Sequence, residues 1–107
     1  MSLDVYLTRT QPTTVYDANI THNLGKMADE AGIYKHLWRP DEIGITKAEQ
    51  LIEPLRAGLA RLKSNPERFK MFDAINGWGL YIDFVPFVEK YLQACEEYPD
   101  AEVSVSR

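Results

Sequence analysis

At both ends of the chain apolar and polar residues alternate with a period of two. Leu3, Val5 and Leu7 interleave with Asp4, Tyr6 and Thr8, and Ala101, Val103 and Val105 interleave with Glu102, Ser104 and Ser106. Successive side chains leave a pleated strand on opposite sides, so this is the pattern of a strand with one buried face. The two ends therefore predict a pair of strands. A bare two-stranded ribbon is marginal in water, so the segments between must cover its apolar face. A further strand near Thr13 to Tyr16, or one lent by a second subunit at an open edge, would widen the sheet. Gln11-Pro12-Thr13-Thr14 reads as a turn.

Between the ends the period changes to that of helices. Within the stretch Tyr16 to Pro40 a first helix is expected, with Asp17 as its N-cap and Gly32 as the left-handed residue after its end. On that helix Ile20, Leu24, Met27, Ala28 and Ala31 share one side, while His22, Gly25, Lys26 and Asp29 share the other. Gly25 costs roughly 1 kcal/mol relative to alanine inside a helix, which points to close approach of another group or to simple tolerance. Ile33, Tyr34, Leu37 and Trp38 then suggest a short helical turn stopped by Arg39-Pro40. A further turn follows to Gly44.

Thr46-Lys47-Ala48-Glu49 has the form of a capping box, opening a helix whose stripe is Ala48, Leu51, Ile52, Leu55, Leu59 and Leu62. Pro54 within it predicts a kink, and Ala57, Gly58 and Ala60 beyond it leave room for another backbone. Asn65 and Pro66 cap and start a short helix carrying Phe69 and Phe72 inward, which Asn76-Gly77-Trp78-Gly79 ends. The last helix, near Asp83 to Glu97, turns Phe84, Phe87, Val88, Tyr91, Leu92 and Cys95 to the core, with Pro86 in its first turn. Together these elements predict a single α+β domain over residues 1–107, mostly helical, with four to five helices on a small sheet that pairs the N- and C-terminal strands.

Composition and charge narrow the function more than they define it. A chain of 107 residues holds one core and no separate catalytic lobe. A net charge of −4 argues against binding a phosphate backbone, which needs a basic face. The one cysteine, Cys95, lies on a packing face and reads as a small buried hydrophobe in a reducing compartment. MSLDVYLTR lacks the basic and apolar regions of a signal peptide, and no stretch approaches a membrane span, so a cytoplasmic protein is expected. The two histidines, His22 and His36, lack metal-ligand spacing and no cofactor fingerprint is present, so neither metal nor cofactor is expected.

Two constellations carry candidate chemistry. His22 with Asn19 or Asn23 as an amide orienter, and a carboxylate such as Asp29 supplying charge, is the best nominee for acid–base work. Asp29 lies two turns on and is too far for a direct hydrogen bond on a helix. Trp38, Arg39 and Trp78 form a second group, of the residue types that dominate binding hot spots. The glycines around Trp78 either present its ring or let backbone come close.

The segments Asn19-Ile20-Thr21-His22-Asn23-Leu24-Gly25-Lys26-Met27-Ala28, Ala31-Gly32-Ile33-Tyr34, Leu37-Trp38-Arg39-Pro40 and Asn76-Gly77-Trp78-Gly79 resemble a family of small uncharacterised proteins of bacteria and their phages. The resemblance covers most of the chain. It implies a cytoplasmic accessory protein and carries over no activity and no site. Where the family pattern leads one to expect a hydroxyl cap after Gly79, this chain has Leu80.

The expectation is therefore a non-enzymatic interaction or ligand-binding protein that uses Asn19, His22, Asn23, Trp38, Arg39 and Trp78. Its partner is expected to be a protein or small molecule, with no nucleic acid and no membrane. A small enzyme with His22 as general acid or base is one alternative. The other is a component that self-associates, as a homodimer for instance, through the sheet edge or the face of Ala57, Gly58 and Ala60.

Overall fold

The computed structural model describes residues 2–9, 13–74 and 77–107. Gln11 and Pro12 of the expected first turn, and Asn76 of the expected helix stop, lie outside these residues. The first strand, β1 (Ser2–Arg9), is flanked on one side by β2 (Thr13–Thr21) and on the other by β3 (Glu102–Ser106), both antiparallel to it. The predicted pairing of the two terminal strands is present, with Val5 opposite Val105 and Leu7 opposite Val103. Leu3, Val5 and Leu7 are fully buried, as the period of two requires.

Among the described residues five α-helices cover this face: α1 (Gly25–Glu30), α2 (Tyr34–Trp38), α3 (Glu49–Ser64), α4 (Pro66–Lys70) and α5 (Tyr81–Glu97). The long α3 and α5 pack on each other, and α5 lies against β2, where Tyr91 stacks on Tyr16 with ring centroids 5.9 Å apart. The apolar stripe of α5 is buried as expected, Cys95 included. Burial pushes the Cys95 thiol up to about 12, the behaviour of an inert core residue. Among the described residues no helix is long and apolar enough to cross a membrane. The fold is α+β, with its core between the helices and the sheet.

The expected first helix is where sequence and structure part. Asp17 is an exposed residue of β2 opposite Tyr6, and the strand takes the whole of Thr13–Thr21, well beyond the third strand expected near Thr13 to Tyr16. The reason is tertiary. Tyr16, Ala18 and Ile20 alternate with Asp17 and Asn19 as well as a strand requires, and pairing with β1 selects that period over the helical one. The helix starts later, with a 3₁₀ turn at His22–Leu24 that Thr21 caps by accepting the Asn23 amide at 3.3 Å. Gly32 does end it, at φ 80°, with the Ile33 amide bonded to the Ala28 carbonyl.

Three other local expectations change. Thr46 does not cap α3, whose N-cap is Ala48. Instead Gln50 reaches back and its Oε1 accepts from the amides of Thr46 (2.7 Å) and Lys47 (2.8 Å), while Val103 donates to the Thr46 carbonyl and ties this turn to the edge of β3. α3 itself runs through Pro54 without a break, consistent with the expectation that this proline does not end the helix. α5 starts at Tyr81, two residues earlier than expected, which places Pro86 in its second turn. Leu80 offers no cap, and the carboxylate of Asp73 takes the role by accepting the Tyr81 amide at 2.7 Å. Finally, Gly58 is packed from within the chain, because a Cβ there would stand 2.5 Å from Cγ2 of Ile33. It is therefore not open to a second subunit, while Ala57 and Ala60 beside it are exposed.

Candidate functional site

The change at β2 relocates the candidate residues. His22 stands at the junction of β2 and the 3₁₀ turn rather than on an outward helix face. It lines a cleft of about 810 Å³ together with Asn19, Thr21 and Asn23, Ser2 from the start of β1, Gly77–Gly79, and Asp83 from the first turn of α5. The floor of the cleft is thus the end of β2, and its opposite wall is the turn before α5.

That wall is fastened to the floor. Asn23 donates from Nδ2 to the carbonyl of Trp78 at 2.7 Å. Gly79 adopts φ 123°, and a Cβ on it would come within 2.9 Å of the Asn23 Cβ, so only glycine allows this approach. Within the turn the Ala74 amide bonds to the Gly79 carbonyl and the Gly77 amide to the Ala74 carbonyl. The Trp78 backbone is therefore held, while its side chain is 71% exposed at the rim. On the floor, Nδ2 of Asn19 donates to Ser2 Oγ at 2.9 Å and to Asp4 Oδ1 at 2.6 Å, which fixes that amide's orientation.

His22 is held from beneath. Nδ1 accepts a 2.8 Å hydrogen bond from Nε1 of Trp38, whose ring is buried and stacked on Tyr34 at 5.4 Å. Because Nδ1 is the acceptor, the neutral ring carries its proton on Nε2. That nitrogen is buried and has no hydrogen-bond partner. The ring consequently directs no lone pair into the cleft. It acts as a polar spacer between Trp38 and the cleft floor.

The six candidate residues thus separate. Asn19, His22, Asn23 and Trp78 meet at one cleft, and Trp38 supports it from the core through His22. Arg39 lies apart, paired with Glu42 at 3.0 Å on the surface. Asp29, the expected source of charge for His22, meets it only in a neighbouring groove beside Gly25 and Tyr34. The close neighbour of Gly25 is the Tyr34 ring, 3.4 Å from where a Cβ would stand.

Sequence reasoning missed Ser2, Thr21 and Asp83, which reach the cleft only through the strand pairing of β1 with β2 and the seating of α5. Thr21 alone carried a local signal, a hydroxyl ahead of an apolar helical stretch. Among the described residues no lysine or arginine lines the cleft. Among the described residues no group of three or more potential metal ligands occurs. No protein-family model matches the chain, and neither a curated protein nor a solved structure matches it.

Proposed function

We propose that this protein is a non-enzymatic binding module, an accessory protein of the cytoplasm of a bacterium or its phage. It takes a small molecule or a partner's side chain in the cleft between the end of β2 and the Gly77–Gly79 turn. The observation that carries this reading is the clamp across the cleft. Asn23 is bonded to the Trp78 carbonyl, residues 55 positions apart, and Gly79 packs on Asn23 where no side chain fits. A wall held this way presents its groups preorganised, which lowers the ordering cost of binding. The cytoplasmic and phage setting rests on the likeness of the Asn19–Ala28 segment.

Catalysis by His22 is the weaker reading, since a general base needs a lone pair within reach of the proton it removes. Here one nitrogen is occupied by Trp38 and the other is protonated and covered.

The test is native mass spectrometry on protein purified gently from cells, followed by affinity capture from host lysate. A bound molecule or captured partner is expected to be lost from Trp78→Ala and Asn19→Ala, each variant checked by circular dichroism to be folded. Binding kept at full strength by both variants places the site elsewhere and overturns the proposal.

A further inference from the structure

We infer that the cleft takes a neutral ligand presenting a sugar ring with adjacent hydroxyls, either a free saccharide or the ribose of a nucleoside. The inference rests on the binding reading above and follows from which hydrogen-bonding groups the fold has already used. Nδ2 of Asn19 spends both its protons on Ser2 and Asp4, so the amide has only Oδ1 left to offer. Asn23 has committed one Nδ2 proton to Trp78, leaving its second Nδ2 proton as a donor and its Oδ1 as an acceptor. Asp83 accepts only. In the other sense, Ser2 Oγ and Thr21 Oγ1 already accept, from Asn19 and from the Asn23 amide, so each hydroxyl has its proton to donate.

The cleft therefore asks for a group that both donates and accepts. A phosphate or carboxylate only accepts, and it would face Asp83 and the amide oxygens with no cationic side chain among the described residues of the cleft. An ammonium or guanidinium only donates, and leaves Ser2 and Thr21 without an acceptor. A hydroxyl does both. The two oxygens of Asp83 can accept from neighbouring hydroxyls of one ring, the way an acidic residue holds a ribose. At the rim Trp78 adds a large apolar surface with a polar edge, suited to a ring that is apolar on one face and wet at its margin.

The experiment is an amide-resolved NMR titration of the full chain with adenosine and methyl glucoside, each beside its phosphorylated counterpart, AMP and glucose 6-phosphate, and with spermidine as the cation. Neutral compounds are expected to shift the amides of Asn19, Thr21, Asn23 and Asp83, with phosphorylation weakening binding about tenfold or more. Adenosine alone acting identifies the nucleoside as the source; the glucoside alone identifies a saccharide. Asp83→Asn is expected to weaken the neutral ligand about tenfold with the fold intact, since Asp83 is exposed. If AMP, glucose 6-phosphate or spermidine binds the same amides as tightly as the neutral compounds, the ligand class is wrong while the cleft remains a binding site. Silence of these amides to both neutral compounds at about 10 mM overturns the inference, and the binding reading then stands or falls on its own capture experiment.

Discussion

Gly58 offers the sharpest test of how α3 meets the rest of the chain. A Cβ placed there would lie 2.5 Å from Cγ2 and 3.1 Å from Cδ1 of Ile33, against an ordinary carbon–carbon contact of about 3.5–4.0 Å. Cγ2 must retreat by roughly 1 Å. Ile33 is fully buried, so the retreat pushes into packed neighbours rather than into water. Overpacking of this kind costs about 1–3 kcal/mol, while replacing glycine by alanine inside a helix returns about 1 kcal/mol.

Gly58→Ala should therefore lose on the order of 1 kcal/mol in urea unfolding, about 4–8 °C in Tm for a domain near this size. Gly25→Ala is the matched control. Its Cβ would meet the Tyr34 ring at 3.4 Å, an ordinary contact, so the variant should be neutral or gain up to about 1 kcal/mol. A double-mutant cycle isolates the contact. Ile33→Ala alone should cost about 2–5 kcal/mol, and less in the Gly58→Ala background, where the added methyl occupies part of the space vacated. A rise in Tm for Gly58→Ala, together with no coupling to Ile33, would refute the close approach.

Two further outcomes test the cleft wall and the pH response. Asp73→Ala removes the acceptor of the Tyr81 amide and should cost about 0.5–2 kcal/mol, whereas Asp73→Asn, which keeps an oxygen there, should cost less; equal stability of Asp73→Ala and the parent protein would remove Asp73 as the cap of α5. For His36, burial, and behind it the Arg61 guanidinium, holds the imidazole below its ordinary value. The folded state then binds fewer protons than the unfolded one, so this group's contribution is complete above the unfolded pKa of about 6.5 and is lost as pH falls from there through the folded value. The stability of the parent protein should accordingly drop more between pH 7.5 and pH 5 than that of His36→Gln, as read by urea unfolding; parallel pH profiles would show that His36 does not contribute.

What the sequence determined by itself was mostly local and periodic. The alternation at the two ends names β1 and β3, because a period of two allows only one buried face and each strand needs the other. The stripes of α3 and α5, the Asn65 cap and the left-handed end at Gly32 are also written in short windows, where side-chain spacing and backbone freedom settle the matter. The Asn19, His22, Asn23 and Trp78 candidates stand out by residue type alone.

Only the tertiary structure decided how these parts are used. The segment Tyr16–Thr21 satisfies both periods, and β1, lacking a neighbour on that side, makes it a strand; His22 thereby moves from a helix surface to the lining of a cleft. The cap expected of Thr46 gives way to contacts across the fold, the first amide of α3 at Glu49 donating to the Pro99 carbonyl, and at α5 the Asp73 carboxylate accepts the Tyr81 amide in place of a cap after Gly79. Ser2, Asn23 and Asp83 share one cleft for the same reason. Distances across the fold follow from how strands pair and helices seat on them, and no spacing along the chain encodes them.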